Sequence, residues 1–375
     1  MGLPGRVAMR VEKMNSPVIK RVVVEEEALG LGRTSAWLRA LPHVPVEIRP
    51  ADSQKVGQEG EMGKEVLHIL RFKGAFLKPC PGTKTYICCG YQILNIGTNC
   101  PMDCSYCILQ AYFNQPNLRV FANIDEEIDR VLAEIDRNPD HIFRIGTGEF
   151  TDSLALEPLL KWSELLLPRL CSRRNVLLEL KTKTTHVEGL IDAPFRDRVV
   201  ISWSLNSPRM VSREERGAAT LKKRIETAGR CQREGFTVGF HFDPLVAHTD
   251  WREGYLRTID LLDRHVDPKK VIWMSLGSFR FMPNLKQVIR RRHPASELLR
   301  GEFVTGLDGK MRYFKPIRMG LYGFVREHLD RWHPNLGLYL CMESDEVWEA
   351  AMGWSPGDSE GLSSYLDGRV AAFFG

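Results

Sequence analysis

The segment Gly97-Thr98-Asn99-Cys100-Pro101-Met102-Asp103-Cys104-Ser105-Tyr106-Cys107 sets three cysteines in a CxxxCxxC pattern, with an aromatic residue just before the last. Three thiolates on one tight loop can each ligate one iron of a four-iron four-sulfur cubane. Three ligands for four irons leave one iron open. An amino acid that chelates that iron and carries a sulfonium can accept an electron, break at sulfur and yield a carbon radical that abstracts hydrogen. S-adenosylmethionine (SAM) is the cofactor with those groups. Structural zinc is the competing reading, but it prefers four ligands in paired C-x2-4-C arrangements, and no second pair follows downstream. Cys88 and Cys89 would supply missing ligands only if their loop folded back.

Other candidates stand where strands are expected to end. In Arg144-Ile145-Gly146-Thr147-Gly148-Glu149, Gly146 and Gly148 permit close backbone approach and Glu149 offers an acceptor for the amino group of the cofactor's methionine. Gly-x-Gly-Glu is also an ordinary turn. Thr151 and Asp152 suit a ribose or a substrate, although Asp152 equally suits a helix cap. Lys183 offers an ammonium for the cofactor carboxylate, or simply a solvated face. Along Ile201-Ser202-Trp203-Ser204-Leu205-Asn206, the side chains of Ser202, Ser204 and Asn206 share one side. Polar residues are unusual on sheltered parallel strands, so Ser204 and Asn206 read as facing a ligand inside a barrel. His241 reads as a satisfied core histidine.

The elements needed to carry these loops are present. Apolar runs at 92–96, 141–145, 176–180, 199–205, 237–242 and 271–276 alternate with helix-patterned stretches at 124–136, 158–171, 221–234 and 251–264. This predicts βαβ units around a parallel sheet: an α/β fold, a partial (β/α)6 TIM-type barrel with its site on the loops after the strands. Residues 1–90 read as an N-terminal extension, with a helical candidate at 25–41 and a strand and turn at 66–76. Residues 91–280 form the barrel core. Residues 281–375 form a helical, basic C-terminal region.

At 375 residues, with 43% hydrophobic and 26% charged residues, the chain has the composition of an ordinary globular protein. A net charge of +5 is compatible with a polyanionic partner without requiring one. With neither a signal-peptide core nor about 20 consecutive apolar residues, a cytoplasmic location away from membranes is expected. In that reducing compartment the nine cysteines favour metal binding over disulfides.

The motifs CPMDCSYCILQ, RVFANID (119–125), TKTTHVEGLID (182–192), SWSLN, GFTVGFHFDPLVAH with WREGY (235–255) and SLGSFRF (275–281) give the chain a family likeness. It resembles the spore photoproduct lyase family of radical SAM enzymes over residues 91–281. The resemblance implies cluster ligation by Cys100, Cys104 and Cys107, and SAM contacts by Tyr106, Thr151, Lys183 and Ser204. It also implies an acidic residue beside the substrate at Asp152, reversal of a thymine adduct in DNA by hydrogen abstraction, and a reducing donor such as flavodoxin or ferredoxin.

Two departures accompany it. The family's lyases return hydrogen from a cysteine in the loop after the second strand, where this chain has no cysteine between Cys107 and Cys171 and Glu149 or a neighbour stands instead. The family's tyrosine after the third cluster cysteine is Ile108 here, and a C-terminal tyrosine beside an arginine aligns with Met319. Glu149 and Asp152 remain the catalytic candidates. Three functions are therefore expected to compete: a radical SAM enzyme on nucleic acid, a radical SAM enzyme on another substrate, and a non-catalytic, metal-stabilised nucleic-acid-binding protein.

Overall fold

The computed structural model describes residues 18–51 and 63–375. In chain order, the strands β1 (Arg21–Glu25), β2 (Val46–Arg49) and β3 (Val66–Leu70) come first. They are followed by β4 (Leu77–Pro79), β5 (Gln92–Leu94), β6 (Gly97–Thr98), β7 (Asp103–Cys104) and β8 (Leu118–Phe121). The central strands are β9 (Phe143–Gly146), β10 (Val176–Thr182), β11 (Val199–Ser204), β12 (Glu215–Arg216), β13 (Thr237–Leu245) and β14 (Val271–Ser278). β15 (Arg280–Phe281), β16 (Phe303–Thr305), β17 (Met311–Tyr313) and β18 (Leu338–Leu340) complete the set.

The six expected barrel strands lie side by side in the order β14-β13-β11-β10-β9-β5, all parallel. Their runs are β-branched or otherwise apolar, and every residue of β9, β11 and β14 is buried, as expected of strands covered on both faces. The helix Ile124–Asp136 follows from the spacing of Ile124, Ile128, Val131, Leu132 and Ile135, all buried, with Asp125, Glu126 and Glu127 in its first turn. The helices Leu221–Arg233 and Trp251–His265 fall within one residue of their expected bounds.

The extensions are more entangled with the core than the sequence suggested. The N-terminal segment builds its own five-stranded sheet, in the order β2-β1-β3-β8-β6, and two of those strands come from beyond residue 91. Residues 119–121, the first part of the family-like motif 119–125, therefore belong to the N-terminal sheet. At the other end, β18 adds in parallel beside β14, so the C-terminal region extends the barrel wall. The loop between β4 and β5 reaches across the open side of the half-barrel, where Ile87 N–H donates to Glu343 O at 3.0 Å. Of the expected helical stretch 25–41, only Gly32–Ala40 is an α-helix, because Arg21–Glu25 is drawn into the sheet. No helix among the described residues is long and apolar enough to cross a membrane.

Candidate functional site

The cysteine loop leaves β6 at Asn99, which adopts a left-handed conformation (φ +66°) that asparagine tolerates better than most residues. Its side-chain amide donates to Gln115 O and Asn117 O, both at 2.8 Å, pinning the start of the loop to the segment that leads into β8. β7 pairs antiparallel with β12, setting Cys104 opposite Glu215. The turn is closed by Cys107 N–H donating to Cys104 O at 3.1 Å, and Gln110 Nε2 donates to the same oxygen at 2.9 Å. Cys100, Cys104 and Cys107 thus share one small cluster with Met102, Tyr106, Ala155 and Ala218.

The donor set fits an iron-sulfur cubane. Burial pushes the Cys104 thiol up to about 12 despite the nearby Lys183 ammonium, and burial raises Cys100 as well. Desolvated thiols of this kind ionise when bound cations compensate the charge. Among the described residues, no three His, Cys, Asp or Glu side chains are arranged to hold a single metal ion. Cubane thiolates stand farther apart than zinc ligands, since each binds a different iron. Cys88 and Cys89 do not join the triad's cluster. Cys88 Sγ accepts from Thr83 N–H at 3.4 Å, and Cys89 packs with Tyr91, Ile93 and Phe150, a group that Cys107 also borders.

One face of the loop is held by a network that sequence reasoning missed. The Tyr106 hydroxyl donates to Glu215, whose other oxygen accepts from Arg224. Arg224 also donates to Ser204 O and Ala219 O, each at 2.9 Å. The Glu215 and Arg224 side chains are 1% and 0% exposed. Burial alone would raise the Glu215 carboxyl, but Arg224, Lys183 and the Tyr106 hydroxyl outweigh it and hold the group below the usual carboxylate range. Nothing in the local pattern Glu214-Glu215-Arg216 distinguishes this glutamate from a surface one.

The loop after β9 differs from expectation in detail. A Cβ at Gly146 would lie 1.3 Å from the Tyr91 hydroxyl, and one at Gly148 would lie 3.0 Å from Lys181 Cβ. Both glycines, expected among the cofactor contacts, thus also admit neighbouring protein on the side where a Cβ would stand. Gly146→Ala is expected to displace Tyr91 and destabilise the fold by about 1–3 kcal/mol, measurable by thermal unfolding. An unchanged Tm would mean that Tyr91 relocates freely.

Glu149, expected to meet the cofactor's amino group, accepts from Lys181 Nζ at 2.5 Å. Asp152 accepts from Leu154 N–H (3.0 Å), Ala155 N–H (2.8 Å), Thr182 Oγ1 (2.7 Å) and Lys183 N–H (2.8 Å). Its carboxylate is therefore the brace joining this loop to the end of β10, and both oxygens are occupied. Thr151 is half-buried and makes no side-chain hydrogen bond among the described residues. Lys183 Nζ has no acidic hydrogen-bond partner among the described residues and lies 5.8 Å from the centroid of the Tyr106 ring, beside Cys104.

Inside the barrel Ser202 donates to Glu179, which also accepts from Trp273 Nε1 at 2.8 Å and contacts His241 Nε2 at 2.9 Å. His241 Nδ1 meets Ser275 Oγ at 2.6 Å, so the histidine is satisfied within the protein. Asn206 is fully buried: its Nδ2 donates to Pro244 O at 2.8 Å, and its Oδ1 accepts from Ser207 N–H and Tyr255 Oη, both at 2.9 Å. Expected among the cofactor contacts, it instead has every polar atom of its side chain bridging protein segments. Ser204 is buried too, with its carbonyl on Arg224.

A family model described as spore photoproduct lyase matches residues 86–331, well over half of the chain. The spore photoproduct lyase of Bacillus subtilis (strain 168) is 26% identical over 231 residues, covering 61% of this chain and 66% of that protein. That of Clostridium acetobutylicum is 20% identical over 323 residues, covering 84% and 91% respectively. The chain thus spans just under two thirds of the first relative's length and most of the second's. Among solved structures, a spore photoproduct lyase double mutant with bound AdoMet and dinucleoside spore photoproduct is similar with a TM-score of 0.77 and 21% identity. That match covers 88% of this chain and all of the other. The fold is shared.

Proposed function

The chain belongs to the spore photoproduct lyase family, and from that premise we propose that it is a radical SAM enzyme acting on nucleic acid. Cys100, Cys104 and Cys107 would hold the four-iron four-sulfur cluster. When bound, the reduced cluster and SAM would supply the chemistry of hydrogen-atom abstraction from a substrate carbon. A one-electron donor of the flavodoxin or ferredoxin kind is the partner this chemistry needs.

The observation that carries the proposal is the contrast between two lysines at the end of β10. Lys181 is neutralised by Glu149, whereas Lys183, which acts on Glu215 only at longer range and forms no ion pair among the described residues, keeps its ammonium beside the cysteine loop. Lys183 suits the cofactor's carboxylate. Tyr106 forms a wall whose hydroxyl is fixed by Glu215, and Thr151 and Ser204 would serve as polar groups for the sugar. Asp152 acts as a positioning residue, since its carboxylate orients the backbone of Lys183.

Anaerobic reconstitution with iron and sulfide, then reduction in the presence of SAM, is expected to yield 5′-deoxyadenosine; its absence would overturn the enzymatic reading. Lys183→Ala is expected to weaken SAM binding by about 10- to 100-fold, the equivalent of one charge-assisted hydrogen bond, while iron content stays at the wild-type level. Equal SAM affinity in the two proteins would remove Lys183 from the site.

A second reading concerns the product. By the resemblance, Glu149 or a neighbour stands where the family's lyases carry their hydrogen-returning cysteine, and Ile108 stands where they carry a tyrosine. A carboxyl O–H is too strong a bond to replace a thiol S–H in that step. A substrate with a different product fate follows from this. DNA containing the photoproduct distinguishes the two: reverted adduct supports repair, and unchanged adduct with continuing 5′-deoxyadenosine release supports the other substrate.

A further inference from the structure

Directly after Cys107, the short helix Leu109–Tyr112 carries Tyr112 to the rim of the site with 55% of its surface exposed. Tyr112 stacks on Phe150 (centroids 5.9 Å apart, planes 22° apart), and Phe113 packs edge-on against both rings. Phe150 itself is only 6% exposed and follows Glu149 in the loop after β9, with Lys78 Nζ 4.4 Å from its ring centroid. The outer aromatic is thus supported from within by the loop that borders the reaction site.

Beside it runs the helix Leu285–Arg292, docked by Asn284 Nδ2 donating to Ala111 O at 3.2 Å and by Arg292 donating to Gln110. Arg292 also pairs with Asp103 at 2.8 Å. Lys286, Arg290 and Arg291 are exposed and have no acidic partner among the described residues. Ile108 and Met282, each 38% exposed, add apolar surface just ahead of the two helices in the chain. Isolated exposed apolar residues need no explanation, but here a supported aromatic, apolar neighbours and unpaired cations share one ridge.

We propose that this ridge carries the nucleic-acid strand flanking the reacting nucleotide, with one unpaired base stacked on Tyr112 and phosphates on Lys286, Arg290 and Arg291. The inference rests on the nucleic-acid reading above and adds to it a place for the strand. A base offers a π-face whatever its sequence, and arginines along a groove follow the phosphates, so the ridge favours unpaired over duplex nucleic acid without reading sequence. Extrusion of a nucleotide into a barrel mouth leaves its neighbour unstacked, and Tyr112 offers that neighbour a replacement surface.

The test is fluorescence anisotropy of a labelled single-stranded oligothymidylate and of a mixed-sequence duplex, titrated with cluster-reconstituted protein over a range of salt. Tyr112→Ala is expected to weaken single-strand binding about tenfold, whereas Tyr112→Phe retains it within about twofold. The double variant Arg290→Gln/Arg291→Gln is expected to weaken single strand and duplex alike and to lower the salt slope by about 1–2. Far-ultraviolet circular dichroism and cluster absorbance check that each variant is folded and loaded. Wild-type affinity in Tyr112→Ala, or equal losses in Tyr112→Ala and Tyr112→Phe, would overturn the stacking proposal alone. A wild-type protein with no affinity for either DNA would overturn the nucleic-acid reading together with it.

Discussion

Cys104→Ser is expected to leave a folded protein that fails to retain an iron-sulfur cluster, with 5′-deoxyadenosine formation falling by at least about a thousandfold, the scale on which essential groups of a catalytic unit act. The expectation rests on position as well as chemistry. Cys104 is buried in the centre of the triad's cluster, its strand is paired to β12, and its carbonyl is bound by both Cys107 N–H and Gln110. A serine would preserve those backbone contacts. It would replace a thiol by a hydroxyl that cannot be deprotonated at working pH and is a poor ligand for iron. Iron and sulfide analysis, visible absorbance and product chromatography check the result. A variant that keeps a full cluster would mean that another cysteine, such as Cys89, can reach the site.

Arg224→Met should show the largest loss of stability, about 3–5 kcal/mol, because it strands the Glu215 carboxylate together with the Ser204 and Ala219 carbonyls in a dry interior. Denaturant unfolding of the apoprotein measures it. The double variant Arg224→Met/Glu215→Leu should recover much of the loss, since removing both charges also removes the desolvation cost. The pH dependence has a definite sign. In the wild type, the carboxyl is held below its ordinary value, so its contribution is present above the unfolded carboxylate range and is lost as the pH falls through the depressed folded value. The gap between wild type and Arg224→Met should therefore be widest at neutral pH and narrow in acid. A gap that stays constant would show that Arg224 acts through packing alone.

These two sites also separate what could be read locally from what could not. The cysteine spacing and the alternation of apolar strands with amphipathic helices are short-range patterns. They identified the cysteine triad and the six parallel strands before any contact was known. Lys183 was also a candidate from sequence. However, Lys181 and Lys183 are two residues apart on one strand end, and nothing local says which of them meets Glu149. The tertiary structure decides this, because the loop after β9 lies over β10.

The same holds for Asn206 and for the glycines. A polar residue at a strand end and a Gly-x-Gly turn suggest a ligand, yet Pro244 and Tyr255 in one case, and Tyr91 and Lys181 in the other, already occupy the neighbouring space. Those partners lie tens of residues away along the chain, where spacing carries no signal. The sequence by itself thus determined the cysteine motif and the class of fold, because both depend on residues close together in the chain. The tertiary structure alone decided which polar groups remain uncommitted at the site, because that depends on which long-range neighbours have already satisfied the others.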